Sequence, residues 1–440
     1  MNPEISAVIP TLNEAGNVSV LLPDLHAALH KLSVPYEIIV VDGNSSDGTQ
    51  KVASANGAHV ILEPRKGYGY ALRAGFRAAR GTYVLTMDAD LSHPPEFVSR
   101  LWQARNQAEL LIGSRYVSGG WAEMSRSRRL LSRVLNIFFC RSLSIPVNDM
   151  SSGFRMYKKS ALDSIEIGRT DFGVLIEILI SIYAQGWRVQ EVPIHYRPRT
   201  KGRSHAKLLK FGIEYLRIFA GAWRKRNSIL FADYDERAFD SKIPLQRWWQ
   251  RKRFRIVTGL VPRNVPTLDV GCGSSRIIAN MPHAVALDMS LGKLRYIRKS
   301  NSKLINATAG QLPFKTGSFR CVICSEVIEH TAESTIFSEL HRVLRPGGCL
   351  IIGTPDYAKM TWRIIESLYG LVHRGGYADE HITHYTRDVL RRTLENEGFE
   401  IESQRYICNA ELIMLARKSA EPKFTGATSE VNANRRGTVL

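Results

Sequence analysis

Short apolar runs alternate with helical repeats along the first half of the chain. The predicted strands, in which β-branched residues are frequent, cover residues 5–10, 36–42, 58–62, 82–88 and 109–114. The predicted helices, in which apolar residues recur every three or four positions, cover residues 18–32, 49–55, 69–79, 95–104 and 130–145. This alternation predicts a mostly parallel sheet with helices on both faces.

The second half of the chain repeats the alternation. Its predicted strands cover residues 267–270, 284–288, 304–307, 321–324 and 349–353. At 440 residues the chain is long for a single core. We therefore predict an α/β protein of two doubly wound domains, residues 1–230 and 231–420, with the boundary between Arg224 and Arg237. The polar residues 421–440 are predicted to form a disordered tail.

Carboxylates follow the predicted strands of the first half. Asp42 ends the second strand, and Asp88 and Asp90 come one residue apart at the end of the fourth. Ligands of doubly wound sheets bind beyond the C-terminal strand ends. Hard cations such as Mg²⁺ prefer oxygen ligands and share them with substrate phosphates. The pattern therefore predicts a divalent cation, Mg²⁺ or Mn²⁺, at Asp88 and Asp90.

Several motifs of the first half occur in a recognisable order. They are IPTLNE (9–14), IVVDGNSSDGT (39–49), DAD (88–90), GSRY (113–116) and DMSSGFR (149–155). In this order and spacing they resemble family 2 glycosyltransferases of the GT-A fold, in particular dolichol-phosphate mannosyltransferase and its polyprenyl-phosphate relatives. The resemblance covers roughly the first half of the chain. It implies an inverting, metal-dependent transfer of a sugar from a GDP- or UDP-linked donor.

The resemblance also implies roles for individual residues. The residues expected to bind the nucleotide sugar are Pro10, Thr11, Glu14, Asp42, Lys66 and Asp88. The residues expected to hold an acceptor phosphate are Arg115, Arg129, Arg199 and Ser204. Asp90 is expected to act in catalysis through the metal, and Asp149 either as the base or as the group that orients the acceptor. The family pattern RxxGxSK is RTKGRSH here, and the final lysine is replaced by His205.

A second set of motifs occupies the other half. They are TLDVGCG (267–273), VALD (285–288), LPF (312–314), CSEVIEH (324–330) and LRPGG (344–348). They resemble class I S-adenosylmethionine-dependent methyltransferases with a Rossmann-like fold. The resemblance implies that the cofactor is bound by Asp269, Gly271, Gly273, Asp288 and Gln311. His330 is interpreted either as a base for a sugar hydroxyl or as a residue that orients Glu329. NAD binding is the alternative, disfavoured because Arg276 replaces the third glycine of the dinucleotide fingerprint.

The charge distribution indicates the kind of partner. The formal net charge is +19, and basic residues crowd the stretches 115–141 and 197–226. Such patches attract phosphate groups or an anionic membrane. No nucleic-acid-binding motif is present, so no nucleic acid partner is expected. The amphipathic pattern at 207–223 predicts a helix that either packs internally or lies on a membrane surface.

The remaining features concern the compartment. The Cys321–Cys324 pair lies in an apolar run and predicts core thiols, which suit a reducing compartment. No apolar run is long enough to span a membrane, and the first strand begins at once without a signal peptide. We therefore expect a peripheral enzyme on the cytoplasmic face of the membrane.

Together these features predict a bifunctional enzyme. One domain would glycosylate a lipid phosphate or glycan, and the other would methylate that sugar or a related product. The alternatives are glycosylation and methylation of a soluble secondary metabolite, or a membrane-bound scaffold in which one domain is degenerate.

Overall fold

The computed structural model describes residues 2–197, 208–300, 303–372 and 381–419. The predicted tail 421–440, Arg199 and Ser204 lie outside these residues. The chain divides into two compact units. The first comprises the described parts of Met1–Asp240 and Ser290–Lys299, and the second those of Ser241–Met289, Ser300–Val372 and Tyr377–Leu440.

The first part of the chain alternates strands and helices as predicted. Its strands are β1 Ile5–Thr11, β2 Tyr36–Asp42, β3 His59–Leu62, β4 Tyr83–Thr86, β5 Leu110–Ser114, β6 Trp121–Ala122, β7 Arg155–Lys158, β8 Val189–Pro193 and β9 His195–Tyr196. Its helices are α1 Ala15–His30, α2 Thr49–Ala55, α3 Tyr68–Ala78, α4 Val98–Ala104, α5 Arg126–Ser142, α6 Lys159–Leu162, α7 Val174–Ala184, α8 Leu208–Arg226 and α9 Tyr234–Phe239.

The main sheet of the first unit has the order β3-β2-β1-β4-β7-β5-β8 within the described residues. Strand β1 pairs in parallel with β2 and β4, whereas β7 runs antiparallel to both β4 and β5. The predicted mostly parallel sheet is confirmed, and β7 and β8 are strands that the prediction lacked. The C-terminal ends of β1, β2 and β4 meet at one edge, which brings the predicted acidic residues together.

Both faces of this sheet are covered by helices, and β1 carries apolar residues that point to each face. Ile5, Ala7 and Ile9 pack into a core cluster that also holds the buried face of α1. Val8 points to the opposite face, where a Cβ at Gly75 of α3 would lie only 2.2 Å from Val8 Cγ1. A glycine there lets α3 approach the sheet closely. Continuous apolar strands are what a sheet buried on both faces requires.

The second part of the chain forms another layered α/β arrangement. Its strands are β10 Thr267–Val270, β11 Ala284–Asp288, β12 Leu304–Asn306, β13 Phe319–Ser325, β14 Leu344–Pro355, β15 Phe399–Ile407 and β16 Glu411–Lys418. Its helices are α10 Pro244–Leu260, α11 Leu291–Ile297, α12 Ile336–Val343, α13 Met360–Val372 and α14 Arg387–Asn396.

The sheet of this part has the order β12-β11-β10-β13-β14-β16-β15 within the described residues. The strands from β10 to β14 pair in parallel, as predicted, and β16 and β15 add an antiparallel edge. Cys321 and Cys324 are buried in β13 as free thiols, which confirms that this pair belongs to a core strand. Among the described residues, every helix is too short or too polar to cross a bilayer.

Candidate active sites

Asp42 lies in a closed polar network at the C-terminal end of β2. Its buried carboxylate accepts hydrogen bonds from Thr11 Oγ1 at 3.2 Å, from Ser45 N at 2.8 Å and from Gln50 Nε2 at 2.8 Å. Ser45 Oγ donates another at 2.5 Å. These donors fix the carboxylate at the sheet edge, so a nucleotide that bound Asp42 would have to replace one of them.

The loops after β1 and β2 are tied to each other. Asn13 N donates to Ser45 Oγ at 2.8 Å, and Glu14 N donates to Thr49 Oγ1 at 3.0 Å. The Glu14 carboxylate accepts a bond from Asn17 Nδ2 at 2.5 Å. Because β1 pairs with β2 up to Thr11 and Asp42, the predicted residues of these two strand ends form one continuous rim.

Asp88 and Asp90 lie in the loop after β4, which ends two residues before Asp88. Asp88 accepts a hydrogen bond from Tyr68 OH at 3.0 Å and keeps 30% of its side chain exposed. Asp90 is almost fully buried, and its Oδ1 accepts a bond from Ser92 N at 3.1 Å. A Cβ at Gly153 would lie 3.1 Å from Asp88 Oδ1, so glycine leaves room for the carboxylate.

This loop fits the divalent cation that the sequence predicted. It offers two carboxylates, and one of them faces solvent. Ser92 Oγ is buried and has no hydrogen-bond partner among the described residues. Buried polar atoms in native proteins nearly always find a partner, and a hydroxyl oxygen suits a hard cation or its bound water. Asp88 and Asp90 could thus hold a cation beside a further oxygen donor.

His93 packs behind the two acids. It is buried, stacks on Phe154 at 5.5 Å between ring centroids, and meets Tyr196 edge-on at 5.7 Å. Burial lowers the pKa of His93, although Asp88 and Asp90 oppose that effect. The imidazole is therefore neutral at neutral pH, and its Nδ1 accepts a long hydrogen bond of 3.4 Å from Asp88 N. This packing against aromatic rings agrees with a structural role.

Asp149 forms a buried ion pair with Arg115. Arg115 Nε and Nη2 donate to the two carboxylate oxygens at 2.7 Å each, and Ser151 Oγ donates at 3.1 Å. Burial alone would raise the pKa of Asp149, but the charge and hydrogen bonds of Arg115 outweigh burial and lower it. The carboxylate is thus ionised and occupied, which favours an orienting role over proton abstraction.

Arg155 and Tyr68 are site residues that the sequence analysis did not single out. Arg155 is fully buried, and its guanidinium donates to the carbonyl oxygens of Met150, Ser152 and Leu175 at 2.6–2.7 Å. It thereby fixes the segment between Asp149 and Gly153. Burial, with a contribution from Asp88, raises the pKa of Tyr68 well above its ordinary value, so its hydroxyl keeps the proton that it donates.

The other predicted residues of this unit lie in varied surroundings. Lys66 is exposed, and Arg129 is half-buried on α5. Helix α5 is joined to the Asp149 loop because Asn136 Oδ1 accepts a hydrogen bond from Met150 N at 2.8 Å. Arg129 therefore lies on an element that contacts the site, whereas Arg199 and Ser204 fall outside the described residues.

In the second unit, the loop that follows β10 is hydrogen-bonded to the last residue of β11. Gly271 has φ +66°, and a Cβ there would lie 2.3 Å from Val327 Cγ2. Gly273 N donates a hydrogen bond to Asp288 Oδ2 at 2.8 Å. Glycine at position 271 therefore leaves room for the Val327 side chain, and the buried Asp269 and Asp288 lie beside this loop. These residues fit S-adenosylmethionine, and Gln311 is exposed in the loop before LPF.

Glu329, His330 and His381 lie beyond β13. Glu329 is fully buried, and burial raises its pKa to about 8. His381 is buried as well, and burial, with the charge of His330, lowers its pKa to about 4. The rings of the two histidines lie 4.9 Å apart. The sequence around His381 resembles a substrate-side loop of the methyltransferase family, but His381 was not among the predicted site residues.

Two family models match separate parts of the chain. Residues 6–166 match glycosyl transferase family 2, and residues 268–352 match a methyltransferase domain. The first part of the chain is thus similar to family 2 glycosyltransferases and the second part to methyltransferase domains. The motifs and their order predict both similarities.

Two curated relatives match the first half. The chain is 36% identical over 225 residues to dolichol-phosphate mannosyltransferase of Pyrococcus furiosus, which covers 49% of this chain and 62% of the relative. It is 30% identical over 224 residues to the low-salt glycan biosynthesis hexosyltransferase Agl6 of Haloferax volcanii, covering 49% of this chain and 53% of that relative. The chain thus spans little more than half the length of each.

A solved structure matches the second half. It is a SAM-dependent methyltransferase of Thermotoga maritima, described as a possible histamine N-methyltransferase. The identity is 19%, and the match covers 42% of this chain and 100% of the other with a TM-score of 0.34.

Proposed function

We propose that the protein transfers a sugar from a nucleotide-sugar donor to a lipid phosphate and methylates the sugar or a related product of the same pathway. The two domains would span residues 1–230 and 231–420. The main support is the Asp88–Asp90 loop with the Gly153 backbone behind it. It stands at the same sheet edge as Asp42, in a domain that matches family 2 glycosyltransferases.

The donor would bind along the rim formed by Pro10, Thr11, Glu14 and Asp42, with Lys66 near its phosphates. Asp88 and Asp90 would hold Mg²⁺ or Mn²⁺. A cation bound there supplies Lewis-acid stabilisation of the departing nucleoside diphosphate. Tyr68 keeps Asp88 in position through its 3.0 Å hydrogen bond. The names of the mannosyltransferase and hexosyltransferase relatives agree with a hexose donor.

The acceptor would bind near Arg115, with Arg129 on α5 contributing. Arg115 donates from Nε and Nη2 to Asp149 and Ser151. Among the described residues its Nη1 donors have no hydrogen-bond partner, so they could contact a phosphate. Guanidinium groups recognise phosphate oxygens through such directed hydrogen bonds. A lipid phosphate has its second pKa near ~6 and is already nucleophilic at neutral pH. Asp149 would then hold Arg115 in place rather than remove a proton.

Methyl transfer would take place at the Gly271–Gly273 loop. Asp269 and Asp288 would bind S-adenosylmethionine, whose sulfonium supplies an activated methyl group. The backbone of Gly273 fixes Asp288 through a 2.8 Å hydrogen bond. Alignment of the acceptor oxygen with the methyl carbon is the main requirement of such a displacement. Tethering the domains raises the effective concentration of one product near the other site.

Asp288→Ala is expected to weaken S-adenosylmethionine binding by about 1–3 kcal/mol, the cost of losing a charged hydrogen-bond partner. Isothermal titration calorimetry on the full chain measures this change. Asp388→Ala is the control, because Asp388 is exposed on α14 and pairs with its neighbour Arg387. Equal affinity of wild type and Asp288→Ala would refute the assignment.

The membrane part of the proposal is supported by α5. Its residues Leu130, Leu131, Val134, Ile137 and Phe138 recur at helical spacing and are 38–65% exposed. Arginines occur along the same helix. An exposed apolar stripe with basic flanks is typical of helices that lie in a bilayer interface. The ring centroids of Phe138 and Phe219 of α8 lie 5.2 Å apart. The two basic helices would therefore bind the same lipid surface.

Replacing Leu131 and Phe138 together by serine is expected to weaken binding to phosphatidylserine vesicles at least about tenfold. Full burial of each side chain contributes about 1.5–3 kcal/mol, and insertion at an interface is partial. Cosedimentation at low salt measures the affinity, and high salt should release the wild-type protein. Leu245→Ser, at an even more exposed leucine of α10, serves as the control. If the double variant bound the vesicles as tightly as the wild type, α5 would not be a membrane-binding helix.

The whole proposal is tested by an assay with purified protein. The chain is incubated with GDP- or UDP-hexoses, polyprenyl phosphate, Mn²⁺ and S-adenosylmethionine carrying a labelled methyl group. Label is expected in a lipid-extractable product only when a sugar donor is present. Absence of any glycolipid with every donor, while a soluble acceptor is glycosylated, would overturn the lipid-phosphate acceptor.

A further inference from the structure

Glu329, His330 and His381 form a cluster that the proposed methyl transfer does not yet use. One ligand atom from each, a carboxylate oxygen and two imidazole nitrogens, lies within 4.8 Å of the others. Glu329 and His381 are buried, and His330 is half-buried. Three donor atoms at these separations can converge on a single ion with small side-chain adjustments.

The Glu329 carboxyl group is incompletely satisfied. Its Oε2 accepts a hydrogen bond from Thr354 Oγ1 at 3.2 Å. Its Oε1 has no hydrogen-bond partner among the described residues, although the residue is fully buried. An unsatisfied buried acceptor costs free energy. A cation at the cluster would supply the missing partner.

Tyr357 fixes the orientation of the His381 ring through a contact with Nδ1. Tyr357 OH donates to Glu366 Oε1 at 3.0 Å and lies 2.6 Å from His381 Nδ1. Since the hydroxyl has a single proton, the contact with His381 is one in which Nδ1–H donates to the tyrosine oxygen. The lone pair then resides on Nε2. Histidines that bind metals are held in this way, with the other ring nitrogen donating to a polar group.

We propose that Glu329, His330 and His381 bind a divalent first-row transition metal ion. Two imidazoles and one carboxylate form a donor set suited to such ions rather than to Mg²⁺ or Ca²⁺. Glu326 is excluded from the set because its carboxylate pairs with Arg253 at 3.1 Å. Three protein ligands leave coordination positions open for oxygen atoms of a substrate.

The position of the cluster indicates what those open positions would take. Val327, two residues before Glu329, is the side chain that a Cβ at Gly271 would meet at 2.3 Å. The cluster therefore follows a segment packed directly on the candidate cofactor loop. We assign to the metal the binding of the acceptor hydroxyl, and this assignment rests on the proposed methyl transfer.

The resulting step is a simple displacement. The cation lowers the pKa of the bound acceptor hydroxyl, and the hydroxyl proton passes to water. The oxygen forms a bond to the methyl carbon as the carbon–sulfur bond of the sulfonium breaks. The products are a methyl ether and a neutral thioether.

The test measures Co²⁺ binding to the full chain without sugar donor or acceptor, so its outcome does not depend on the proposed activity. Asp88→Asn with Asp90→Asn is the background, since it removes the other candidate cation site. This variant is expected to bind about one Co²⁺ per chain with visible d–d absorption. His330→Ala and His381→Ala should each lose that absorption. His283→Ala, at an exposed histidine just before β11, should retain it.

Tyr357→Phe is a milder variant that keeps the proposal testable if removal of His381 prevents folding. It should bind Co²⁺ about 10–100-fold more weakly, the effect of losing a partner of a metal ligand. An unchanged circular dichroism spectrum verifies the fold of each variant. Absence of Co²⁺ binding in the background variant would overturn the proposal. Co²⁺ affinity unchanged in both His330→Ala and Tyr357→Phe would overturn it as well.

Discussion

Asp90→Asn is expected to lower glycosyl transfer by a factor of about a thousand or more and to leave S-adenosylmethionine binding unchanged. A bound cation stabilises the leaving diphosphate by several kcal/mol, and each 1.36 kcal/mol is about tenfold in rate. Asp90 is nearly fully buried beside Ser92, so an amide there removes a negative charge that solvent does not replace. Transfer to polyprenyl phosphate and calorimetry with the methyl donor measure the two effects.

Asp163→Asn is the matched control for this variant. Asp163 is exposed and forms an ion pair with Lys159 on α6. Its replacement should leave transfer unchanged. In the wild-type protein, excess chelator should lower glycosyl transfer as much as Asp90→Asn does. Full transfer in the presence of chelator would contradict the cation assignment.

Asp149→Ala is expected to destabilise the glycosyltransferase unit by about 3–5 kcal/mol and to abolish transfer. The substitution leaves Arg115, whose side chain is only 11% exposed, without its carboxylate, and an unpaired buried charge is costly. Chemical denaturation of the full chain, followed through the transition of this unit, measures the loss. Removing the exposed Asp163 should change stability by less than about 1 kcal/mol.

A double variant separates stability from function. Asp149→Leu with Arg115→Met replaces the ion pair by apolar side chains, and such replacements often restore stability. We expect the double variant to recover most of the lost unfolding free energy while transfer stays abolished. Recovery of transfer together with stability would mean that the pair is only structural.

The sequence predicted the strand-end carboxylates because two regularities coincide there. Buried parallel strands are continuous apolar runs, and ligand-binding residues follow their C-terminal ends. Asp42 and Asp288 therefore lie close to where the motifs put them. The fourth strand was predicted to include Asp88 but ends at Thr86, since the apolar pattern does not reveal where strand pairing stops.

Other features depend on contacts that no local pattern carries. Arg155 is fully buried, although arginine is usually exposed, and one of its carbonyl partners, that of Leu175, lies 20 residues further along the chain. The hairpin of β15 and β16 turns through Cys408 and Asn409, both with positive φ near 50°. Turns of that kind usually carry Asn-Gly or Asp-Gly, so Cys-Asn gave no hairpin signal. His381 joins Glu329 and His330 only through the fold of the chain.

The central claim is that one chain both glycosylates a lipid phosphate and methylates the pathway's product. Mass spectrometry of lipid-linked sugars from cells that produce the wild type, Asp90→Asn or Asp288→Ala tests it most directly. We predict a methylated glycolipid with the wild type, the same glycolipid lacking the methyl group with Asp288→Ala, and neither with Asp90→Asn. Identical lipid-linked sugars in all three strains would contradict the account.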